Sequence, residues 1–319
     1  MKIIIVGGVA GGASAAARIR RLDENAQIIV FERTGYISYA NCGLPYYIGD
    51  VIKDKNELTL QTPDSFWERF RIDVRVRHEV TAIDPEKKTV TVHGLDSGKE
   101  YEETFDKLIL SPGARPVVPN MSGIDLDKVF TLRTVEDTLK IRKFVDENHP
   151  KSAVIAGGGY IGIEMAENLR ELGMDVTIVQ RQDQLLSPLD GDMASFVHAK
   201  MRSKGVHLKF DSSVVGFQDF GNQVKTLIQD EDALVSDMVI LAIGVTPDTA
   251  LAKNAGLKLG IKGSIVVNEK METSVPDIYA VGDAVQVRHY VTGTDSLISL
   301  AGPANKQGRI AADNICGVE

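Results

Sequence analysis

Cys42 is the residue whose type and setting best suit covalent chemistry. It stands in the stretch SYANCGLPYYIG, residues 38–49, and the one other cysteine is Cys316. The thiolate is the reactive form of cysteine, and a helix that begins just beyond Cys42, with Pro45 in its first turn, would favour that form. Residue type alone favours a buried, inert cysteine. The position of Cys42 downstream of a glycine-rich turn favours a thiol that reacts.

That glycine-rich turn could bind a dinucleotide. An apolar run, Lys2–Val6, leads into GGVAGG at residues 7–12, an Ala-rich helix follows, and the next apolar run ends at Glu32. In nucleotide-binding βαβ units the glycines let the backbone approach a pyrophosphate and the helix N-terminus supplies N–H groups. An acidic residue roughly 20 positions further on accepts the ribose hydroxyls. Val9 breaks the strict G-x-G-x-x-G pattern.

A second copy of this pattern lies downstream, in KSAVIAGGGYIGIEMAENLRELGMDVTIVQR. Its turn, GGGYIG from Gly157 to Gly162, matches the strict pattern, and its second strand ends at Gln180. A lone glycine fingerprint is weak evidence, but two, each framed by a strand and a helix, predict two dinucleotide-binding sites. The alternative is a pair of ordinary strand-to-helix turns without a ligand.

Length, composition and charge narrow the class of protein. A chain of 319 residues with 43% hydrophobic content suggests two domains, at about 150 residues each. The net charge of -8 argues against binding to nucleic-acid phosphates. Two distant cysteines suggest a reducing, cytoplasmic setting, and no apolar run reaches the roughly 18 residues of a membrane span. The glycines near the N-terminus favour a nucleotide-binding turn over a signal peptide. The spacing of the His and Cys residues does not match that of a metal-binding site.

The order of the remaining segments predicts an α/β fold with two Rossmann-like units. The alternating runs VRVRHEVTAID and KKTVTVHG indicate a pair of antiparallel strands between the two glycine turns. The strands in FDKLILSPGARP and SDMVILAIGVTPDT both stop at Gly and Pro, where chain crossings between domains are expected. We therefore predict a discontinuous dinucleotide-binding domain at residues 1–113 and 247–319, and a second dinucleotide-binding domain inserted at residues 114–246.

Taken in order, these motifs resemble those of the pyridine nucleotide-disulfide oxidoreductases, which bind two dinucleotides. The stretch TSVPDIYAVGDAV, in which Gly282 precedes Asp283, looks like the second FAD signature of that family. The resemblance covers essentially the whole chain and implies a three-layer, glutathione-reductase-like fold, with FAD on the first turn and NADH or NADPH on the second. The Cys42 stretch is similar to the single-cysteine branch, which contains coenzyme A-disulfide reductases, NADH-dependent persulfide or polysulfide reductases and NADH oxidases.

The absence of a nearby second cysteine distinguishes this branch. Relatives of glutathione reductase carry C-x-x-x-x-C, whereas Tyr47 takes the second position here. The resemblance therefore implies that Cys42 holds an electron pair with an external partner, as a mixed disulfide with coenzyme A, a persulfide or a sulfenic acid. Hydride would pass from the nicotinamide to the flavin, the flavin would reduce the mixed disulfide, and thiol exchange would restore the resting state. Cys42 is the predicted catalytic residue, and coenzyme A disulfide or a related persulfide or polysulfide is the expected substrate.

The family pattern also implies cofactor-binding positions around both turns. Gln180 replaces the acid that favours NAD and Arg181 follows it, so the choice between NADH and NADPH stays open. Glu164 matches a position near the nicotinamide and flavin, with a helix-surface charge as the alternative. The positions expected to bind FAD are Gly7, Val9, Ala10, Gly11, Glu32, Arg33, Asn41, Val80, Ser111, Gly113, Gly282 and Asp283. Those expected to bind NAD(P)H are Gly157, Gly159, Tyr160, Ile161, Gly162, Glu164, Gln180, Arg181 and Gly244.

Basic residues on the first helix bear on the choice of substrate. Coenzyme A is polyanionic, so an acidic protein needs a local positive cluster to bind it. In the coenzyme A-disulfide reductases, the first helix and the cysteine loop contact that ligand. An ordinary solvated helix face is the alternative. The matching positions are Arg18, Arg21, Ser38 and Asn41, to which Arg69 or Arg71 could add.

Two other functions stay open. One is an NADH oxidase that reduces oxygen while Cys42 cycles through sulfenic acid, and the other is a flavin redox sensor without turnover. Relatives normally continue into a C-terminal dimerisation domain, which the chain is expected to lack because it ends at Glu319. We expect a homodimer for full-length relatives and leave the oligomeric state of this chain open.

Overall fold

The computed structural model describes residues 1–318, which form two compact units. The first unit comprises Met1–Tyr39, Thr59–Arg115 and the segment from Thr246 onward. The second comprises Ala40–Leu58 and Pro116–Val245. The segment that carries Cys42 thus groups with the second unit, whereas the predicted boundaries placed it in the first domain. Which unit binds which cofactor stays a prediction.

Helices occur in both units. Short 3-10 helices cover Asn41–Gly43, Lys55–Leu58, Ile261–Gly263 and Gly282–Ala284. The α-helices are α1 (Ala10–Leu22), α2 (Leu44–Ile48), α3 (Pro63–Phe70), α4 (Val135–Asn148), α5 (Tyr160–Glu171), α6 (Gly191–Ser203), α7 (Ala250–Asn254) and α8 (Ala301–Ile315).

The strands are short and mostly apolar. They are β1 (Lys2–Val6), β2 (Gln27–Glu32), β3 (Asp73–Val76), β4 (His78–Asp84), β5 (Thr89–Gly94), β6 (Glu100–Thr104), β7 (Lys107–Leu110), β8 (Ala114–Pro116), β9 (Val129–Phe130), β10 (Ser152–Ala156), β11 (Asp175–Val179), β12 (Val206–Lys209), β13 (Val214–Phe220), β14 (Gln223–Ile228), β15 (Leu234–Ser236), β16 (Met238–Leu241), β17 (Val245–Pro247), β18 (Ile265–Val266), β19 (Ile278–Ala280), β20 (Val285–Arg288) and β21 (Asp295–Ser296).

A parallel sheet in the order β19-β7-β1-β2-β3 forms the centre of the first unit. Successive side chains of a strand point to opposite faces, so Ile3 and Ile5 pack with α1 and α8 while Ile4 packs with β4 and β5. Both faces are buried, which explains the continuous β-branched run in β1. The layers are helices, the parallel sheet and the antiparallel sheet β4-β5-β6, so the predicted three-layer arrangement is confirmed.

The second unit repeats this plan. Its parallel sheet has the order β9-β16-β10-β11-β12, which corresponds strand by strand to β19-β7-β1-β2-β3. On one face, Val154 and Ala156 pack with Phe217 and Val224 of the antiparallel sheet β13-β14-β15. Helix α5 packs against β10, β11 and β16. The predicted α/β fold with two Rossmann-like units is therefore confirmed.

The chain passes from one unit to the other within β8 and again within β17. Gly113 and Gly244 come just before these two strands, and their φ angles are 71° and 122°. Such positive φ angles favour glycine, because a Cβ atom is poorly tolerated there. The glycine signals in the sequence thus mark backbone positions next to the crossings in β8 and β17, whereas the two crossings on either side of residues 40–58 carry no such signal.

Among residues 1–318, the helices lack the combination of length and apolar character that crossing a bilayer needs. The same residues contain no cluster of three His, Cys, Asp or Glu side chains arranged to bind a metal ion.

Candidate functional site

The first glycine turn, between β1 and α1, presses its backbone against neighbouring backbone. A Cβ atom on Gly7, whose φ is 98°, would lie 2.1 Å from the carbonyl oxygen of Ser111 at the end of β7. A Cβ atom on Gly12 would lie 1.9 Å from the carbonyl oxygen of Gly7. Contacts below 3 Å are not tolerated, so these positions require glycine.

Residues beyond β2 close over this turn. The Gly8 N–H donates to Glu32 Oε2 at 2.9 Å, and the Ser38 N–H donates to the Gly8 carbonyl oxygen at 2.9 Å. The Ile37 side chain packs on Gly8, since a Cβ atom there would lie 2.7 Å from Ile37 Cγ2. Ser38 has a φ of 45°, an unfavourable value for a residue other than glycine. The Ser38 backbone thus stabilises the turn through its hydrogen bond to Gly8. That Ser38 also contacts the substrate stays a prediction.

Helix α8 and the second signature complete the surroundings of the first turn. The Gly282 N–H donates to Gln307 Oε1 at 2.7 Å, and a Cβ atom on Gly308 would lie 2.4 Å from the Gly11 carbonyl oxygen. Gly11 also approaches the Ser111 hydroxyl closely. Sequence reasoning missed Gln307 and Gly308. The spacing of small residues in the sequence of α8 is typical of close helix contacts and could have indicated the position of Gly308.

The first turn fits a dinucleotide such as FAD. Helix α1 has no side-chain cap at its N-terminal residue, Val9, so the N–H groups of its first turn remain available to a phosphate. The structure brings several predicted FAD positions together around this turn: Gly7, Val9, Ala10, Gly11, Glu32, Ser111, Gly282 and Asp283.

Other predicted FAD positions lie elsewhere. The Arg33 guanidinium binds Asp248 at 2.7 Å and lies 3.9 Å from Glu79, and these carboxylates raise its pKa against the effect of burial. Val80 is buried in the core between the sheets. Asn41 belongs to the second unit. Their roles toward FAD stay predictions.

The second glycine turn, between β10 and α5, repeats the first one contact by contact. A Cβ atom on Gly157, whose φ is 108°, would lie 2.3 Å from the Ala242 carbonyl oxygen, and one on Gly162 would lie 2.0 Å from the Gly157 carbonyl oxygen. The Gly158 N–H donates to Gln180 Oε1 at 3.0 Å, so Gln180 does what Glu32 does in the first copy. Gly159 caps α5 without a side-chain hydrogen bond, and no described atom lies within 4 Å of where its Cβ would be.

This turn therefore fits the pyrophosphate of a nicotinamide dinucleotide. Tyr160 and Ile161 begin α5, with Tyr160 mostly exposed. Arg181 is exposed just beyond Gln180, and Gly244 follows β16. The structure thus places the turn, Gln180, Arg181 and Gly244 where β10, β11 and β16 end, whereas Glu164 lies on α5.

Cys42 lies in the 3-10 helix that leads directly into α2, and its side chain is exposed. Pro45 is in the first turn of α2, so the predicted helix just beyond Cys42 is confirmed. The adjacent Asn41 has a buried Oδ1 atom without a hydrogen-bond partner among the described residues. Buried polar atoms normally have partners, so this acceptor suits a donor from a bound molecule.

Tyr46 of α2 interacts electrostatically with Cys42 and with two acidic groups of α5. Burial raises the pKa of Tyr46, and the charges of Glu167 and Glu164 raise it further, with an added effect of Cys42. Burial also raises the pKa of Glu164, to which the like charge of Glu167 adds. The neighbour of Cys42 is therefore a phenol that keeps its proton, and that phenol interacts with a carboxyl that takes up a proton more readily than usual. Sequence reasoning did not assign Tyr46 or Glu167.

Two contacts fix α2 within the second unit. The Arg142 guanidinium of α4 donates to the Ile48 carbonyl oxygen at 3.2 Å and lies 3.4 Å from the Asp50 carboxylate. On the other side, Gly49 lies directly against Asn168 of α5, because a Cβ atom on Gly49 would fall 2.1 Å from Asn168 Oδ1. These contacts explain why the Cys42 segment groups with the second unit.

Gly49→Ala is expected to lower the free energy of unfolding by about 1–3 kcal/mol, because the added methyl overlaps Asn168 and pushes α2 off α5. Thermal unfolding and the rate of Cys42 alkylation would measure the loss of stability and the displaced thiol. Gly191→Ala is the control, since its Cβ would lie 3.5 Å from Gln184 Oε1, an ordinary contact. Equal stability of both variants would show that α2 does not depend on this close approach.

The predicted coenzyme A positions lie in both units. Arg18 Nε is 2.7 Å from the Asp313 carboxylate, and the Arg21 guanidinium lies over the Phe70 ring at 5.8 Å. Arg69 also lies over Phe70, at 5.1 Å, and Arg71 lies over the half-exposed Trp67 at 5.5 Å. We call the set Arg18, Arg21, Arg69 and Arg71 the arginine patch.

Comparison with known proteins gives consistent matches. The family model described as pyridine nucleotide-disulphide oxidoreductase matches residues 1–308. The coenzyme A disulfide reductase of Staphylococcus haemolyticus (strain JCSC1435) is 37% identical over 316 residues, which are 99% of this chain and 70% of that protein. The structure of reduced Bacillus anthracis CoADR-RHD is 50% identical with a TM-score of 0.96, over 99% of this chain and 57% of that one.

The NAD-dependent persulfide reductase from A. fulgidus is 36% identical with a TM-score of 0.96, over 100% of this chain and 60% of that one. The chain therefore spans less than two thirds of the length of these two solved proteins. The predicted resemblance is confirmed, and with it the expected use of FAD and a nicotinamide cofactor. Because the family model covers nearly its whole length and a curated relative shares 37% of its residues, the chain belongs to the pyridine nucleotide-disulphide oxidoreductases.

Proposed function

We propose that this chain is an FAD-dependent NAD(P)H oxidoreductase that reduces coenzyme A disulfide, or a related persulfide or polysulfide, at Cys42. The observation that carries the proposal is the pairing of an exposed single thiol with the buried, unpartnered acceptor Asn41 Oδ1 beside it. The relatives named coenzyme A disulfide reductase and persulfide reductase support the same class of sulfur substrate.

In this proposal the first glycine turn binds FAD and the second binds NAD(P)H. When bound, FAD would take a hydride from NAD(P)H and supply the electron pair that returns the Cys42 mixed disulfide to the thiolate. The chain itself positions these groups: Glu32 and Gln180 each fix the second glycine of a turn through its N–H. The uncapped first turns of α1 and α5 offer their N–H groups to the phosphates.

The sulfur step follows from the position of the thiol. The Cys42 thiolate attacks one sulfur of the incoming disulfide, forms a mixed disulfide and releases the other half as a thiolate, which takes up a proton. Tyr47 stands where a second cysteine would resolve that bond, and Cys316 follows α8 in the first unit. The mixed disulfide is therefore broken only when two electrons reach it, and each turnover with a disulfide substrate yields two thiols.

The arginine patch supports a polyanionic substrate. In the described chain, Arg21, Arg69 and Arg71 have no carboxylate within 4.0 Å and lie over aromatic rings. Guanidinium groups bind phosphates well, and such stacking holds them in place. We therefore include coenzyme A disulfide among the substrates and assign its phosphates to this patch.

The test is anaerobic oxidation of NADH and of NADPH by the flavin-loaded protein, with coenzyme A disulfide, polysulfide and a small uncharged disulfide as acceptors. We expect sustained turnover with a sulfur acceptor. A single reduction event without turnover would identify a redox sensor instead.

Arg21→Ala should raise the KM for coenzyme A disulfide about fivefold, corresponding to roughly 1 kcal/mol. The KM for the uncharged disulfide should stay unchanged, because that substrate has no phosphate for Arg21 to bind.

An oxidase is the competing outcome, because the exposed Cys42 is open to oxygen chemistry. Turnover with oxygen alone, together with sulfenic acid and no thiol adduct on Cys42 by mass spectrometry, would favour it. A coenzyme A adduct on Cys42 would favour the disulfide reductase.

A further inference from the structure

A histidine on α6 contacts the loop that follows β11. His198 Nε2 accepts a hydrogen bond from the Leu185 N–H at 3.0 Å, and its ring lies against Phe210 with the ring centroids 4.8 Å apart. The loop, residues 181–190, starts at Arg181, directly after the position predicted to contact the cofactor ribose. His198 thus fixes a loop next to the second glycine turn.

The same loop contacts Gly158, the second of the three consecutive glycines in that turn. The Leu185 side chain is fully buried, and its Cδ2 atom lies 2.3 Å from where a Cβ atom on Gly158 would be. The Leu186 N–H donates to the Gly158 carbonyl oxygen at 2.9 Å. Gly158 is therefore held by two residues of the loop and, through its N–H, by Gln180 just before the loop. A shift of residues 185–186 would therefore shift the turn.

The first copy of the fold holds its loop differently. Ile37 and Ser38 contact Gly8 as Leu185 and Leu186 contact Gly158, and Ser38 and Leu186 share positive φ angles of 45° and 49°. In the first copy, however, the Ser38 carbonyl oxygen accepts the Leu60 N–H at 2.9 Å, a backbone contact. In the second copy the loop is held by a titratable ring, the imidazole of His198.

We propose that His198 is a positioning residue for NAD(P)H, which holds Leu185 and Leu186 against Gly158 so that the second turn keeps the shape that binds the pyrophosphate. The proposal rests on the proposed function, in which this turn binds NAD(P)H. His198 itself touches neither the cofactor nor the reacting atoms. It acts through the loop.

The contact requires an unprotonated Nε2, because a protonated ring would direct a second donor at the Leu185 N–H. Burial lowers the pKa of His198 and so does Arg202 on the same helix, while Asp183 of the loop opposes them and Phe210 carries no charge. A lowered pKa keeps the ring neutral at pH 7. Since the unfolded chain binds the proton more readily, the contribution to stability is complete above about pH 6.5 and is lost as the pH falls below it.

The test compares His198→Leu, which removes the acceptor, with His198→Gln, whose amide oxygen reaches the same place. Titration of the flavin-loaded proteins with NADH and NADPH, followed by protein fluorescence between pH 5.5 and 8, gives the Kd values. We expect Kd to rise five- to tenfold in His198→Leu at pH 7.5, while kcat at saturating cofactor and flavin content stay unchanged. His198→Gln should bind NADH and NADPH at pH 7.5 as tightly as the unmodified protein does. Its affinity should not fall at low pH, whereas that of the unmodified protein should.

His207→Leu is the matched control, since this exposed histidine binds Asp175 at 3.1 Å and does not contact the loop. Circular dichroism checks that the variants fold. Unchanged NADH affinity in His198→Leu would overturn the proposal, and equal losses in His198→Leu and His198→Gln would assign the effect to ring packing on Phe210. An unmodified protein that binds neither nucleotide would contradict the proposed function instead.

Discussion

Cys42→Ser is expected to lower disulfide turnover by roughly a thousandfold or more, the scale on which loss of a nucleophile acts. A serine hydroxyl neither forms a mixed disulfide nor ionises near neutral pH, so the sulfur step has no attacking atom. The side chain is exposed, so the change should alter the free energy of unfolding by no more than about 0.5 kcal/mol. Flavin absorbance and NAD(P)H affinity should therefore persist while NAD(P)H oxidation with disulfides stops.

Cys316→Ser is the control for this experiment. Burial raises the pKa of the Cys316 thiol, and the charges of Asp23 and Asp313 raise it further against the effect of Arg18, so Cys316 makes a poor nucleophile. Its replacement should leave turnover intact. Persistent turnover in Cys42→Ser, or its loss in Cys316→Ser alone, would contradict the assignment of the reactive thiol.

The sequence contained enough information for the elements whose signals are local. The β-branched run at Lys2–Val6 and the glycines after it predicted β1 and the start of α1, and Pro45 predicted α2. Hydrophobic periodicity and turn chemistry act over a few residues, so they can be read from a single chain. The duplication of the glycine turn extended this reading to both units.

Contacts between distant segments could not be predicted in this way. The bond from Arg142 to the Ile48 carbonyl spans 94 positions, and no local pattern indicates that Gly49 will lie against Asn168. These contacts group the Cys42 segment with the second unit, and the predicted boundaries of the two cofactor-binding domains stay a prediction. The positive φ angle of Leu186 was equally hidden, because a leucine there is held by its contact with Gly158 and not by its own preference.

Gly12→Ala and Gly162→Ala are expected to separate the two cofactors. The new Cβ atoms would lie 1.9 Å from the Gly7 carbonyl oxygen and 2.0 Å from the Gly157 carbonyl oxygen, so each turn must move away from its helix. A loss of about 1.4 kcal/mol in binding free energy is tenfold in Kd, and we expect at least that at the altered turn. Gly12→Ala should lose bound FAD, while Gly162→Ala should keep FAD and bind NAD(P)H at least tenfold more weakly.

Absorbance of the purified proteins measures flavin content, and titration with NADH and NADPH measures the second site. Gly302→Ala is the control, because no described atom lies within 4 Å of the position its Cβ would take. If Gly162→Ala lost its flavin and Gly12→Ala kept it, the two turns would hold the opposite cofactors. Because the turns repeat each other contact by contact, this pair of variants tests the assignment with nearly the same steric change at both sites.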